Sequence, residues 1–136
     1  MNTLGMRHIA LNVKDAQASK DFYCKVLKMQ VEWEPDAQNV YLTNAGQDNL
    51  AIHEVAGTGK PAEPSFGSLD HLGFFVPTLN DVDEWYEHVK SSGAKILREI
   101  KTHRDGARSF YFADLDGVTI QLLYHIPIAE AAASKT

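Results

Sequence analysis

The feature that most constrains this chain is a repeat. Arg7-His8-Ile9-Ala10-Leu11-Asn12-Val13 returns as Asp70-His71-Leu72-Gly73-Phe74-Phe75-Val76, each a histidine opening an alternating run. Alternation is the period of a half-buried strand. In the first copy His8, Ala10 and Asn12 fall on one face and Ile9, Leu11 and Val13 on the other. Two such strands at matching places in successive halves predict an internal repeat whose histidines converge on one site.

The apolar face of the first strand needs a cover, and the next segment supplies it. Asp15 is a helix N-cap, and Ser19, Phe22, Tyr23, Val26 and Leu27 share one stripe of a helix over about 16–28. Val31 to Glu34, ending at Pro35, then Val40 to Thr43 and Leu50 to Val55 read as short strands, with a turn from Asn44 to Asn49. The first half is therefore βαβββ. The glycine- and proline-containing segment 56–68 has no period and reads as a linker. The order then repeats. A strand over 70–76 leads to a helix capped by Thr78 with Asp81 three residues on, striped by Val82, Trp85, Tyr86 and Val89 and stopped at Gly93. Lys95 to Glu99, Ser109 to Phe112 and Val118 to Tyr124 are the remaining strands; a polar loop from Lys101 to Gly106 follows the first, and the turn Asp114-Leu115-Asp116-Gly117 joins the last two as a hairpin. The expected organisation is one α+β domain of two βαβββ modules in tandem, about 6–55 and 69–127. A tail over 128–136 is either a helical turn or disordered.

Length and composition exclude several function classes. The 136 residues suffice for a core without staples, and no apolar run approaches the roughly 18 residues of a membrane span. The N-terminus has no basic start followed by an apolar core, so the expectation is a cytoplasmic protein. A net charge of −5 with no basic cluster beyond Arg104 and Arg108 argues against nucleic acid. Cys24 is the only cysteine, which rules out an intramolecular disulfide or a cysteine-based zinc site.

Superposing the halves pairs His8 with His71, 63 residues apart, and His53 with Gln121, 68 apart, with loops absorbing the difference. Side chains alternate along strands, so sheets facing each other would offer His8, His53, His71 and Gln121 inward. Imidazole nitrogens and an amide oxygen suit a borderline divalent ion: zinc, nickel, manganese or iron. A bulge near His53 would instead turn Glu54 inward. His103 belongs to a loop, a common place for function.

With the repeat, the paired histidines and the Asp114-Leu115-Asp116-Gly117 turn, the chain resembles the vicinal oxygen chelate superfamily. That group includes glyoxalase I, fosfomycin-resistance proteins, bleomycin-binding proteins and extradiol dioxygenases. The resemblance spans residues 6 to about 127 and takes in Phe22-Tyr23 and the stretch from His103 through Phe110-Tyr111 to Gln121. It implies two modules with sheets curled around a metal-centred cavity, a homodimer in which modules are sometimes exchanged, and a small-molecule substrate. By position His8 and His71 match the family's two histidine ligands, and His53 matches an extra ligand position that glyoxalase I fills with a carboxylate. Gln121 stands where most metal-binding members carry glutamate, Leu115 replaces the usual proline, and Lys28 sits where members commonly end the first helix with glycine.

The Gln121 change matters chemically, because an amide can ligate a metal yet carries no balancing charge and cannot act as a general base. The first expectation is a metal-dependent lyase or isomerase of glyoxalase-like type, with His8, His71, Gln121 and His53 around the ion and His53 and Tyr111 as catalytic groups. His103, Arg104, Arg108 and Tyr111 are the candidate substrate contacts. An extradiol-type dioxygenase is one alternative. The other is a metal-free binding protein with an aromatic groove drawn from Trp33, Tyr41, Phe75, Phe110 and Tyr111.

Overall fold

A computed structural model describes residues 1–55 and 69–134. The chain forms two compact units, Met1–Pro61 and Ala62–Thr136, and the expected linker 56–68 lies outside the described residues. The first unit runs β1 (His8–Val13), α1 (Ala16–Val26), β2 (Gln30–Asp36), β3 (Asn39–Thr43) and β4 (Asn49–Glu54). The second runs β5 (Leu72–Phe75), α2 (Leu79–Ser91), β6 (Lys95–Thr102), β7 (Arg108–Ala113), β8 (Thr119–Tyr124) and α3 (Ile126–Ala133). Strand order is β1-β4-β3-β2 in one sheet and β5-β8-β7-β6 in the other, with the first pair of each parallel and the rest antiparallel. This is the expected α+β fold of paired βαβββ modules.

In each unit one sheet face is closed by the helix. Asp15 accepts from the Ala18 N–H at 3.0 Å and starts α1, whose buried face is Ala16, Ser19, Tyr23 and Val26. Thr78 and Asp81 form a reciprocal capping box at the start of α2, which buries Val82, Tyr86 and Val89. The registers show that the two cores are the same core. Leu50 and Ile120, Ile52 and Leu122, Val40 and Phe110, and Leu42 and Phe112 occupy corresponding rungs, and all eight are buried. Phe110, expected as groove surface, belongs to this core, with its ring edge-on to Tyr86 at 5.3 Å.

Three elements outrun the sequence pattern. Strand β2 continues through Pro35 to Asp36; it is an edge strand, where a missing N–H costs no ladder bond. Strand β6 reaches Thr102 because two register shifts let its polar end keep pairing with β7. The tail folds as α3 with Pro127 in its first turn, where proline is tolerated. Among the described residues no helix is long and apolar enough to cross a membrane.

Both long helices end in a left-handed residue, glycine in one and lysine in the other. Gly93 follows α2 at φ +85°, and Lys28 follows α1 at φ +56°. A side chain in that region costs about 1–2 kcal/mol, part of which glycine returns through its freer unfolded chain. Lys28→Gly is therefore expected to raise unfolding free energy by about 0.5–1 kcal/mol, and Gly93→Ala to lower it by a similar amount, both read by urea denaturation.

Candidate functional site

The face of each sheet opposite its helix carries the polar side chains of the strands. In the first unit β1 and β4 pair His8 with Asn49, Ala10 with Ala51 and Asn12 with His53, so His8 and His53 share the open face. His53, not Glu54, therefore points this way; the ladder from β1 to β4 is unbroken, and the bulge that would have turned Glu54 inward is absent from this pair. Four residues separate the two histidine rungs, about 13 Å along the sheet. The registers also revise the expected equivalence of His53 and Gln121. Gln121 pairs with Gly73 and Tyr111, whereas it is Ala51 that pairs with Ala10 and Tyr41. Residues 41 and 51 thus stand against 111 and 121, 70 residues apart in each case. A methyl group occupies the first-module counterpart of Gln121, and His53 lies one pleat beyond it, because the offset between the modules at these strands is 70 residues and not 68.

Each strand-opening histidine has its Nδ1 engaged. His8 Nδ1 lies 2.7 Å from Asn49 Oδ1, and the same amide donates through Nδ2 to Glu32 Oε2 at 3.2 Å. Glutamate only accepts, so the amide shows its oxygen to His8, Nδ1 carries the proton and Nε2 keeps its lone pair. His71 Nδ1 lies 2.6 Å from Asp70 Oδ2, which fixes the same arrangement directly. A side-chain oxygen on one ring nitrogen is the usual support of a metal-ligating histidine.

In the second unit a cavity of about 240 Å³ is lined by Asp70, His71, Leu97, Arg98, Tyr111 and Thr119. The His71 ring stands edge-on to Tyr111 at 5.5 Å, and the Arg98 guanidinium lies over the Tyr111 ring at 5.2 Å. Gln121 reaches towards the same strand: a Cβ on Gly73 would lie 4.0 Å from its Oε1. The closest neighbour of such a Cβ is Leu123 Cδ2 at 3.3 Å, so a side chain at 73 would press on Leu123 rather than on the amide. Imidazole nitrogen and amide oxygen are donors of the kind a divalent ion takes, and among the described residues no three His, Cys, Asp or Glu side chains stand together as a metal site would need.

The remaining sequence candidates sit elsewhere. His103 opens the β6–β7 turn, its N–H bonded to the Ala107 carbonyl at 2.7 Å and its Nε2 3.1 Å from Ser109 Oγ. Arg104 is exposed in that turn. Arg108 is taken up by α2: it donates to both Asp83 oxygens at 2.6 and 3.3 Å and to Thr102 Oγ1 at 2.6 Å. The guanidinium on the His71 face is instead that of Arg98. The sequence hid it because β6 slips register between Ile96 and Arg98, which turns Arg98 onto Tyr111's face. Cys24 is half-buried; burial first, then Asp21, pushes its thiol pKa up, away from a reactive thiolate.

The profile of the glyoxalase/bleomycin resistance protein/dioxygenase superfamily matches residues 5–122. The chain belongs to that superfamily. Among curated relatives, it is 28% identical over 118 residues to the metallothiol transferase FosB of Staphylococcus haemolyticus, covering 87% of this chain and 81% of that one. It is 25% identical over 115 residues to biphenyl-2,3-diol 1,2-dioxygenase 2 of Rhodococcus globerulus, covering 85% of this chain but only 60% of the enzyme's length. Among solved structures, lactoylglutathione lyase from Agrobacterium tumefaciens superposes with a TM-score of 0.70 at 20% identity, covering 88% of this chain and 92% of that one. TioX from Micromonospora sp. ML1 gives the same score and identity over 89% and 98%. Superfamily membership thus accounts for the doubled βαβββ fold.

Because Arg108 and Asp83 tie β7 to α2 near the surface, their pair acts on stability. Asp83→Ala is expected to cost no more than about 1 kcal/mol in chemical denaturation, the range of a partly exposed ion pair.

Proposed function

We propose that this protein is a divalent-metal-dependent enzyme acting on an oxygen-bearing small molecule, of glyoxalase-like lyase or isomerase type. The observation that carries the reading is the pair His8 and His71, each opening its module with Nδ1 bonded to a side-chain oxygen and Nε2 left as a donor. We read the protein as a cytoplasmic homodimer whose modules bring these two atoms and Gln121 Oε1 to one zinc, nickel, manganese or iron ion. An ion so held supplies Lewis acidity to substrate oxygens that chelate it. Asp70 and Asn49 hold the imidazoles in the ligating tautomer. Tyr111 presents a phenol to a developing oxyanion, and Arg98 a guanidinium to an anionic substrate group, with His103 and Arg104 as contacts for the rest of the molecule. His53 is left out of the ligand set, since about 13 Å of strand separates its rung from that of His8. It serves a more distant part of the substrate.

Gln121 favours a second reading within the same site. Moving a proton between carbons next to a chelated oxygen needs a base there, and an amide is none. Transfer of a group to an external nucleophile needs only the activated electrophile, and the FosB relatives are named as transferases.

Elemental analysis of the purified protein separates these readings from a metal-free binding protein. Stoichiometric metal is expected in the wild type and its loss in both His8→Ala and His71→Ala; a wild type that stays metal-free when offered zinc, nickel, manganese and iron rejects the enzyme. Iron as the bound metal would favour the dioxygenase alternative.

Gln121→Glu adds the missing charge. It is expected to tighten metal binding by about tenfold or more, roughly 1.4 kcal/mol, in competition with a chromophoric chelator. Unchanged affinity would remove Gln121 from the ligand set.

A further inference from the structure

The first unit contains one more histidine whose proton is assigned by its neighbours. Asp36 Oδ1 accepts from Asn39 Nδ2 at 2.9 Å and from the Gln38 backbone N–H at 2.9 Å. Asn39 Oδ1 lies 2.6 Å from His53 Nδ1. A carboxylate offers no proton, so the amide turns its NH2 towards Asp36 and its oxygen towards His53. That oxygen also has no proton to give. Nδ1 must therefore donate, and in the neutral ring Nε2 carries the lone pair.

The backbone enforces this order of contacts. Asp36 is the ladder partner of Asn39 across β2 and β3, and Asn39 is the partner of His53 across β3 and β4. The ring plane is fixed independently by Tyr41, edge-on at 5.9 Å, and Tyr41 is stacked on Trp33 at 5.1 Å. Bonds from the Asn39 side chain first, then from the Gln38 N–H, hold the Asp36 carboxyl below its usual pKa, so it remains the accepting end of the chain at neutral pH. The same carboxylate–asparagine–histidine construction occurs on this face as Glu32, Asn49 and His8, where Asn49 is likewise the ladder partner of the histidine.

We propose that Asp36 and Asn39 are positioning residues that hold His53 as its Nδ1–H tautomer, making Nε2 an acceptor for an O–H or N–H group of a small-molecule ligand. The inference needs no metal. It gives this end of the sheet a hydrogen-bonding task separate from the His8 rung, beside an aromatic surface in which Trp33 is 59% exposed. A neutral donor such as a phenol suits it, because a ligand that only accepts would face lone pair against lone pair.

The test is a two-bond proton–nitrogen correlation spectrum of the metal-free, 15N-labelled full chain above the titration range of imidazole. The His53 signals are assigned by their loss in His53→Gln. The expected wild-type pattern is a protonated Nδ1 and an unprotonated Nε2, and Asn39→Ala should lose it in favour of Nε2–H or a mixture. Asp36→Ala should weaken it in the same direction. Backbone amide shifts of β3 and β4 establish that the variants fold. A wild-type Nε2–H pattern, or an Nδ1–H pattern that survives Asn39→Ala, overturns the positioning role. Phenol is the ligand probe: it should shift the Nε2 resonance in the wild type and less in Asn39→Ala, and an Nε2 signal that does not respond overturns the acceptor role. Since the protein carries no metal throughout, failure here is distinct from failure of the metal reading.

Discussion

The structure depends on the parallel pairing of the first and last strands in each module. A parallel pair requires a crossover, and in both units the crossover carries the helix that closes one face of the sheet. The opposite face is left to side chains of the other phase. Pairing also sets which of these become neighbours: His8 sits beside Asn49, and Gly73 beside Gln121. A slip of one residue would send Leu11, Ile52, Ile120 and Leu122 to the open face and the polar groups into the core, so burial of the aliphatic rungs is what holds the functional rungs in place.

From this constraint follows what was legible in the sequence. Period-two alternation and the Asp15 and Thr78 caps name the strands and helices because they are local, and the histidine repeat names the modules. Register is not local. The equivalence of Gln121 with Ala51 is fixed by ladders between residues far apart in sequence, and a superposition by element lengths misses it by one pleat. Arg98 was hidden for a related reason, since a bulge reverses the phase of an edge strand without altering its composition. The partner of Arg108 was equally out of reach of the sequence, since Asp83, which holds its guanidinium, lies 25 residues away on α2.

The two modules have diverged unevenly on their open faces. Tyr41 and Tyr111 correspond, yet Tyr41 is covered by Trp33 where Tyr111 is covered by Arg98. One face therefore offers an extended aromatic surface and the other a cation over an aromatic ring beside His71. The first face suits an apolar planar group and the second an anionic one.

Asparagine in place of a direct carboxylate explains how this face stays workable without much buried charge. In the first module an asparagine stands between the carboxylate and each histidine, whereas Asp70 touches His71 directly. An amide between them transmits direction without placing a full negative charge on the ring, so the histidine keeps its lone pair outward while the carboxylate stays near solvent on the edge strand. The first module thus directs the Nδ1 bonds of both its histidines through amides. The second module places a carboxylate on the histidine itself, while Gln121 brings no charge of its own.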